Sequence, residues 1–514
     1  MPVTTTDRPA PLIDQLSEAR SLVEGAGFVV RSSSRRAAAV SGGYVRGVSA
    51  HDFAAVRSEL DLPPATASDR FPADVLAEAV VIAELGLPSV EDATSIPFVT
   101  IDPPGSRDLD QAVFIERVGS GFRVHYAIAD LGSVIPAGGA IDAEARRRGQ
   151  TIYLPDGRVP LHPPVLSEGA LSLLPDQVRR AALWTIDVDA AGEAGNASVR
   201  RARIRSIAQL DYEGVQKSFD AKAPHPSIEA LGDLGRLRLA LRVSLGAIEL
   251  ALPEQEVVRT GDDWIVRMRR RTDVDAWNAE ISLLTGMAAA QLMLTAGVGL
   301  LRTLPPADDD ALDRFLRTAR TLGIDVAAGA TVAQVLAGLD PDQPAAIALM
   351  REATGLLRGA GYESFDGAAP QQPLHAGIGA PYAHVTAPLR RLADRFGTEV
   401  CLAICAGTEV PAWTREALPL LGEIMHTSDQ RASKADRATI DQAEVWELTG
   451  RIGETFTAIV VRAERDGGEI MVTTPPVIAR CEGRDLPEGK SVTVTLTEVD
   501  EQRRRVTFAY EKGH

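Results

Sequence analysis

The sequence is poor in cysteine and has no long apolar run. Only three cysteines occur among 514 residues, and their spacing matches no metal-binding pattern, which is typical of a protein in a reducing compartment. No apolar run looks long enough to cross a bilayer, and the first residues lack the apolar segment of a signal peptide. We therefore expect a cytoplasmic protein without a membrane partner.

Positive charge is also scarce. The formal net charge is −16 and the isoelectric point is near 5.1. A general nucleic-acid coat protein is normally basic, so this composition argues against that class. It leaves room for an enzyme that has a local basic channel within an acidic exterior.

The length of the chain predicts about two to four domains. We expect a variable leader over residues 1–48 and a short helical region over 49–92. A catalytic body follows over 93–440, and a final domain over 441–514. In this last domain, short alternating strands with Gly- and Asp-rich turns predict a small five-stranded barrel of the OB type.

The order of elements in the body predicts an α+β fold. Strands come first and a long run of helices follows, which is typical of a mixed sheet backed by helices. Among these helices the periodicity predicts Asp273 to Ala296 and Pro388 to Cys405.

Three carboxylates crowd one turn of this body. Residues 98–101 read as a strand, and a Pro-Pro-Gly-Ser turn leads to a second strand that begins at Gln111. Asp108 and Asp110 lie two positions apart in extended chain and share a face, and the turn brings Asp102 back toward them. Oxygen ligands of this kind suit Mg²⁺. The alternative is that the aspartates only build and solvate the turn.

This turn, Ile101-Asp102 with Arg107-Asp108-Leu109-Asp110-Gln111, resembles the metal motif of the ribonuclease II/R (RNB) family of 3′→5′ exoribonucleases. Further segments resemble family motifs in the family's order: Tyr126 to Asp130, Ile141-Asp142, Arg148-Gly149, Tyr153 to Pro155, Leu166 to Leu173, Leu210 to Tyr212 and Tyr382 to Arg391. The resemblance implies an RNB-type catalytic domain followed by a C-terminal RNA-binding barrel.

The resemblance also implies a chemistry. Asp102, Asp108, Asp110 and Gln111 would hold divalent metal, Mg²⁺ or Mn²⁺, and Asp110 would be the carboxylate that cleavage requires. Two such ions activate a water and stabilise the leaving oxygen in phosphodiester hydrolysis. Arg390 would grip a phosphate with its planar guanidinium group.

Single-stranded RNA is the partner that the resemblance implies, bound by a monomer. Tyr153 and Tyr212 match positions at which the family places rings on the 3′-terminal nucleotides, although core packing is the alternative for both. The remaining RNA-contacting residues on this reading are Glu280, His384, Thr386, Arg390, Arg391 and Arg148.

The chain departs from the family at Gln111, where the family has a second adjacent aspartate. The leading hypothesis is a Mg²⁺-dependent 3′→5′ exoribonuclease that releases nucleoside 5′-monophosphates. A catalytically impaired RNA-binding protein is one alternative, because a neutral amide removes a charge from the metal site. A phosphodiesterase that acts on short oligonucleotides is another.

Overall fold

The computed structural model describes residues 51–67, 70–87 and 89–511. The predicted leader over residues 1–48 lies outside this range. The α-helices of the described residues are α1 (Ala54–Glu59), α2 (Ala73–Ala83), α3 (Ala140–Arg148), α4 (Tyr212–Asp220), α5 (Leu231–Ser244), α6 (Asp273–Ala296), α7 (Asp309–Thr321), α8 (Val332–Ala337), α9 (Pro344–Ala353), α10 (Leu392–Ala406) and α11 (Ala412–Leu448).

The strands divide into a central sheet, several two-stranded ribbons and a terminal barrel. They are β1 (Glu91–Asp92), β2 (Phe98–Ile101), β3 (Gln111–Val118), β4 (Gly121–Ala129), β5 (Ile152–Leu154), β6 (Gly157–Val159), β7 (Val178–Val188), β8 (Ala194–Leu210), β9 (Glu254–Thr260), β10 (Asp263–Arg269), β11 (Val298–Thr303), β12 (Gly361–Asp366), β13 (Leu374–His375), β14 (Ala380–Pro381), β15 (Thr455–Glu464), β16 (Gly467–Thr473), β17 (Pro476–Glu482), β18 (Ser491–Asp500) and β19 (Arg505–Ala509).

The central sheet has the strand order β1-β8-β2-β3-β4-β7, and β8 also pairs with β7. Strand β8 pairs antiparallel with β7 along its first part and parallel with β2 along its last part. The sheet is therefore mixed, as the α+β prediction requires. Side chains on one face of β4, such as Val124 and Tyr126, pack in the same apolar core as helix α6, while Ala127 and Ala129 pack in a second core on the other face.

Helix α6 has the predicted bounds. Thr272 caps it through a reciprocal pair of hydrogen bonds with Asp275, and Gly297 ends it at a φ of 73°, a conformation that glycine adopts without strain. By length and composition it is the one described helix that could span a membrane, with a mean hydropathy of 1.3 over its most apolar window. The expectation of no such run was therefore wrong. Because 56% of this window is buried in the protein, we assign α6 to the core.

The second predicted helix starts later than expected. Pro388 to Arg391 are not helical, and α10 begins at Leu392. The backbone of Arg391 is extended, at φ −139° and ψ 122°, and the amide of Thr151 donates to the carbonyl of Arg390 over 2.9 Å. This pairing with a distant segment prevents the residues from joining the helix.

Helix α11 leads to the terminal barrel, whose five strands close in the order β15-β16-β17-β19-β18. Its interior is apolar and includes Phe456 and Phe508, which meet edge to face. The predicted five-stranded barrel is confirmed. The domain boundaries proposed from the sequence stay predictions.

Candidate active site

The acidic loop between β2 and β3 is pinned to the protein at its centre. Leu109 is fully buried, its amide donates to Ser172 Oγ over 2.9 Å, and its carbonyl accepts from the amide of Leu173 over 3.0 Å. Gly105 provides the positive φ, 85°, of the preceding turn. These contacts fix Asp108 and Asp110 on either side of an apolar anchor.

The segment before α10 meets this loop from 279 residues further along the chain. The amide of Leu389 donates to Asp110 Oδ1 over 2.7 Å, and Arg390 Nε lies 3.3 Å from Asp110 Oδ2. Asp110 is buried, and burial raises the pKa of its carboxyl well above the ordinary value although Arg390 opposes the rise. Asp110 and Arg390, the two residues predicted to be catalytic, are thus in contact.

The hairpin β5–β6 occupies both oxygens of Asp108. The hydroxyl of Tyr153 donates to Asp108 Oδ2 over 3.1 Å, and Arg158 Nη1 donates to Oδ1 over 3.0 Å. Arg158 also pairs with Glu168, which Arg107 approaches at 3.8 Å. Tyr153 is half-buried, so its ring lies at the boundary between the carboxylates and the surface.

Asp102 is the carboxylate without a guanidinium partner of its own. Its Oδ2 atom is buried and lacks a hydrogen-bond partner. Burial raises the pKa of Asp102 to about 7, while the Thr100 hydroxyl and Arg390 act in the opposite direction. Tyr212 is close enough for the charge of Asp102 to contribute to a raised pKa of its phenol. The ring of Tyr212 is buried, and its hydroxyl accepts from Asn278 Nδ2 over 3.2 Å.

Gln111 is held from the side opposite to solvent. Its side-chain oxygen accepts a hydrogen bond from the Tyr126 hydroxyl. Ser282 Oγ lies 2.8 Å from that hydroxyl and 3.3 Å from the same Gln111 oxygen. Tyr126 lies on β4 and is buried, and Ser282 lies on α6 and is half-buried.

Glu280 lies away from these carboxylates. It is fully buried, and its carboxylate pairs with Arg242 at 2.5 Å and with Arg238 at 3.8 Å. A contact between Glu280 and a sugar would require this internal ion pair to open.

Three further residues of the predicted RNA surface have side-chain partners within the protein, and a fourth is buried. Arg148 pairs with Glu144 at 2.7 Å and stacks on Phe71. Arg391 forms two hydrogen bonds with Asp394, at 2.6 and 2.8 Å. His384 Nδ1 lies 2.6 Å from the Tyr362 hydroxyl, and burial lowers the pKa of this histidine. Thr386 is buried. In this structure Arg148 and Arg391 are thus engaged by carboxylates, and His384 by a phenol, within the protein.

The sequence reasoning missed Arg158, Ser282 and Asn278. Arg158 could have been found, because it lies five positions after Tyr153 across a tight turn, and cross-strand pairing places the two side by side. Strands β5 and β6 do pair Tyr153 with Arg158. Ser282 and Asn278 lie on a helix far along the chain, and no local pattern links them to the acidic turn.

The donor set fits a hard divalent cation, with limits. Carboxylate oxygens are suitable ligands, and a buried, unpartnered Asp102 Oδ2 is costly unless a cation or a proton meets it. Across residues 51–67, 70–87 and 89–511, however, no group of three or more His, Cys, Asp or Glu side chains is arranged to hold a metal ion. Asp102 has the unpartnered oxygen and is the best candidate for a direct ligand, whereas Asp108 would share its oxygens between a cation and the Tyr153 and Arg158 donors.

Two known protein-family models match this chain. The RNB domain matches residues 90–397, and the RNase II-type exonuclease C-terminal S1 domain matches residues 454–511. The chain belongs to the RNB family.

Curated RNB relatives are longer than this chain. Ribonuclease R of Vibrio cholerae is 26% identical over 416 residues, which cover 74% of this chain and 49% of that protein. Exosome complex exonuclease RRP44 homolog A of Arabidopsis thaliana is 27% identical over 374 residues, or 69% of this chain and 40% of that protein. The chain thus spans about half the length of the relatives that it matches.

Solved RNB structures share the fold. Mycoplasma genitalium RNase R in complex with ribose methylated single-stranded RNA superposes with a TM-score of 0.78 at 20% identity, covering 88% of this chain and 77% of that one. Yeast Ssd1, described as a pseudonuclease, gives a TM-score of 0.66 at 18% identity, covering 82% and 53%. At these identities the likeness establishes the fold alone.

Proposed function

We propose that this RNB protein is a divalent-metal-dependent exoribonuclease that degrades single-stranded RNA from its 3′ end and releases nucleoside 5′-monophosphates. One observation carries the proposal: Asp110 is in contact with Arg390, whose charge also acts on Asp102 and Asp108, and Tyr153 donates to Asp108 beside them. The names of the relatives, Ribonuclease R and exosome exonuclease, support the same activity.

Each residue has a part in the proposed reaction. Asp102 and Asp108 would hold Mg²⁺ or Mn²⁺, which lowers the pKa of a bound water and neutralises charge on the phosphate. Asp110 orients the Arg390 guanidinium through their 3.3 Å contact. Arg390 then binds the scissile phosphate by charge-assisted hydrogen bonds, for which its planar group is well suited.

RNA selection would rest on the rim of the pocket. The half-buried ring of Tyr153 can stack on a base, and stacking tolerates any base sequence. Tyr212 is more deeply buried, so it supports the pocket floor beside Asp102. The terminal barrel, which matches an S1 domain, would guide the strand toward the pocket.

Incubation of the purified protein with 5′-labelled poly(A) tests the proposal. Parallel reactions contain Mg²⁺, Mn²⁺ or EDTA. We expect stepwise shortening from the 3′ end with either metal, mononucleotide products, and no shortening in EDTA. Cleavage that persists in EDTA would contradict the metal mechanism, and cleavage of a matched deoxyribonucleotide strand at the same rate would contradict selection for RNA.

The second candidate function is RNA binding without catalysis. Its specific observation is Gln111, a neutral side chain whose oxygen is already engaged by hydroxyl groups. The likeness of fold to a described pseudonuclease is consistent with it. Tight binding of poly(A) without shortening in either metal would make this function the leading one.

A further inference from the structure

Gln111 cannot contribute its oxygen to a cation in the observed arrangement. An amide oxygen has two lone pairs. The Tyr126 hydroxyl donates to this oxygen, and Ser282 Oγ lies 3.3 Å from it. Ser282 Oγ donates to the same oxygen as the Tyr126 hydroxyl, so the two donors occupy both lone pairs of the Gln111 amide oxygen.

The three carboxylates differ in how far they are already neutralised. Asp110 has Arg390 and the Leu389 amide, and Asp108 has Arg158 and the Tyr153 hydroxyl. Asp102 alone keeps a buried oxygen without a hydrogen-bond partner.

The formal charges of these groups also indicate one uncompensated carboxylate. Three carboxylates against two guanidinium groups leave one negative charge in excess, and the nearby Glu168 is offset by Arg107 at 3.8 Å. A single dication reverses this excess. A second dication would enter a pocket that is already positive, and would find no acid at position 111 to receive it.

From these contacts and charges we infer that this chain holds one divalent cation, on Asp102 and Asp108, and that the second cation of a two-metal site is absent because Gln111 is locked by Tyr126 and Ser282. The inference rests on the proposed metal-dependent function. It assigns Gln111 to the neutral wall of the pocket, and not to the ligand set that the sequence predicted. Arg390 is then the remaining group that can stabilise charge on the leaving oxygen.

Counting bound Mn²⁺ tests this inference without any measurement of activity. The full chain is titrated with Mn²⁺, and free Mn²⁺ is followed by electron paramagnetic resonance. We expect one ion per wild-type chain and two per Gln111→Asp chain, because the new carboxylate supplies the missing ligand and charge. Gln111→Asn, which stays neutral, is the matched control and should bind one. Circular dichroism verifies that each variant is folded.

Each outcome has a separate meaning. Two ions on the wild-type chain would overturn the inference and leave the proposed function intact. One ion on both the wild-type and the Gln111→Asp chains would overturn the role given to Gln111. No ion on the wild-type chain would overturn both the inference and the metal-dependent function. Tyr126→Phe removes the donor to Gln111, and a second ion on that variant, as on Gln111→Asp, would support the lock.

Discussion

The candidate site around Asp110 and the interior around Glu280 both bury carboxylates beside arginines, but the ratio of acids to arginines differs between them. Glu280 has two guanidinium groups, those of Arg242 and Arg238. In the pocket, Asp102, Asp108 and Asp110 share Arg390 and Arg158. A buried charge is stable only when it is compensated. In the interior cluster Glu249 is a further counter-charge near Arg242, so the cluster needs no ligand, whereas three carboxylates around two guanidinium groups leave one acid in excess, which would favour a cation.

A third region buries a carboxyl with no arginine among the groups that shift its pKa. Glu444 on α11 accepts from Gln255 Nε2 over 2.7 Å and from the Ile478 amide over 3.1 Å. Burial raises its pKa to about 8, and the nearby Asp441 and Glu447 add to the rise. Protonation therefore neutralises the carboxyl of Glu444, whereas Arg242 and Arg238 offset the charge of Glu280. The regions differ in what offsets the buried carboxyl: arginines around Glu280, a proton at Glu444 and, in the proposal above, a cation at Asp102.

The largest effect should come from Asp110→Asn. This change keeps the size of the side chain and removes the charge that orients Arg390, so we expect hydrolysis to fall by about a thousandfold or more. RNA binding should persist, because Arg390 stays positive and loses a competitor. Single-turnover kinetics and filter binding on poly(A) measure the two quantities.

The matched control for Asp110→Asn is Asp466→Asn, which removes an exposed carboxylate that lies 3.4 Å from Arg484 on the barrel. It should leave the rate unchanged. Retained turnover in the Asp110→Asn variant would remove Asp110 from the catalytic machinery.

Glu280→Gln tests the interior cluster that Glu280 forms with Arg242 and Arg238. It would leave Arg242 and Arg238 buried without their counter-charge, which costs about 3–5 kcal/mol in the free energy of unfolding. The urea midpoint should drop accordingly. Glu229→Gln is the control, since Glu229 is an exposed partner of Arg117 at 3.5 Å and such pairs contribute about 1 kcal/mol or less. Unchanged stability with weakened RNA binding would return Glu280 to the substrate-binding residues.

Glu444→Gln tests the proton-compensated region. The folded pKa of Glu444, about 8, lies above its usual value of 4.5. The folded state therefore binds a proton that the unfolded state has lost, and stability falls as pH rises from about 4.5 to about 8. Gln keeps an acceptor oxygen and does not ionise. We expect the variant to match the wild type at pH 5 and to exceed it at pH 9, by on the order of a few kcal/mol.

Thermal melts at the two pH values check this expectation. A wild-type chain whose stability does not change across this range, relative to Glu444→Gln, would show that the carboxyl of Glu444 is ionised in the folded protein.

The sequence alone predicted the features that depend on residues close together in the chain. Asp102, Asp108 and Asp110 were readable as a cluster because a tight turn and an extended segment hold them together, and α6 was readable from its periodicity and caps. The identity of the RNB family followed from the order of several such local patterns.

Contacts between distant segments could not be read in the same way. The start of α10 was predicted four residues too early, because Pro388 to Arg390 form a turn and pairing with Gln150 and Thr151 keeps Arg391 extended. The same pairing carries Arg390 to Asp110. The locking of Gln111 depends on Ser282, 171 residues away, and only the folded chain reveals it.

The smallest expected effect concerns Tyr153, which links the pocket to the RNA path. Tyr153→Phe removes the hydroxyl that donates to Asp108 and keeps the ring, whereas Tyr153→Ala removes both. Loss of one stacked base costs about 1–3 kcal/mol, so Tyr153→Ala should weaken the hold on the 3′ end and lengthen the final undegraded fragment. Tyr153→Phe should leave that length unchanged and alter only the rate. Denaturing gels of end-labelled RNA resolve the fragment, and equal lengths in all three proteins would assign the ring to packing within the protein, because a ring that stacks on the terminal bases must set where degradation stops.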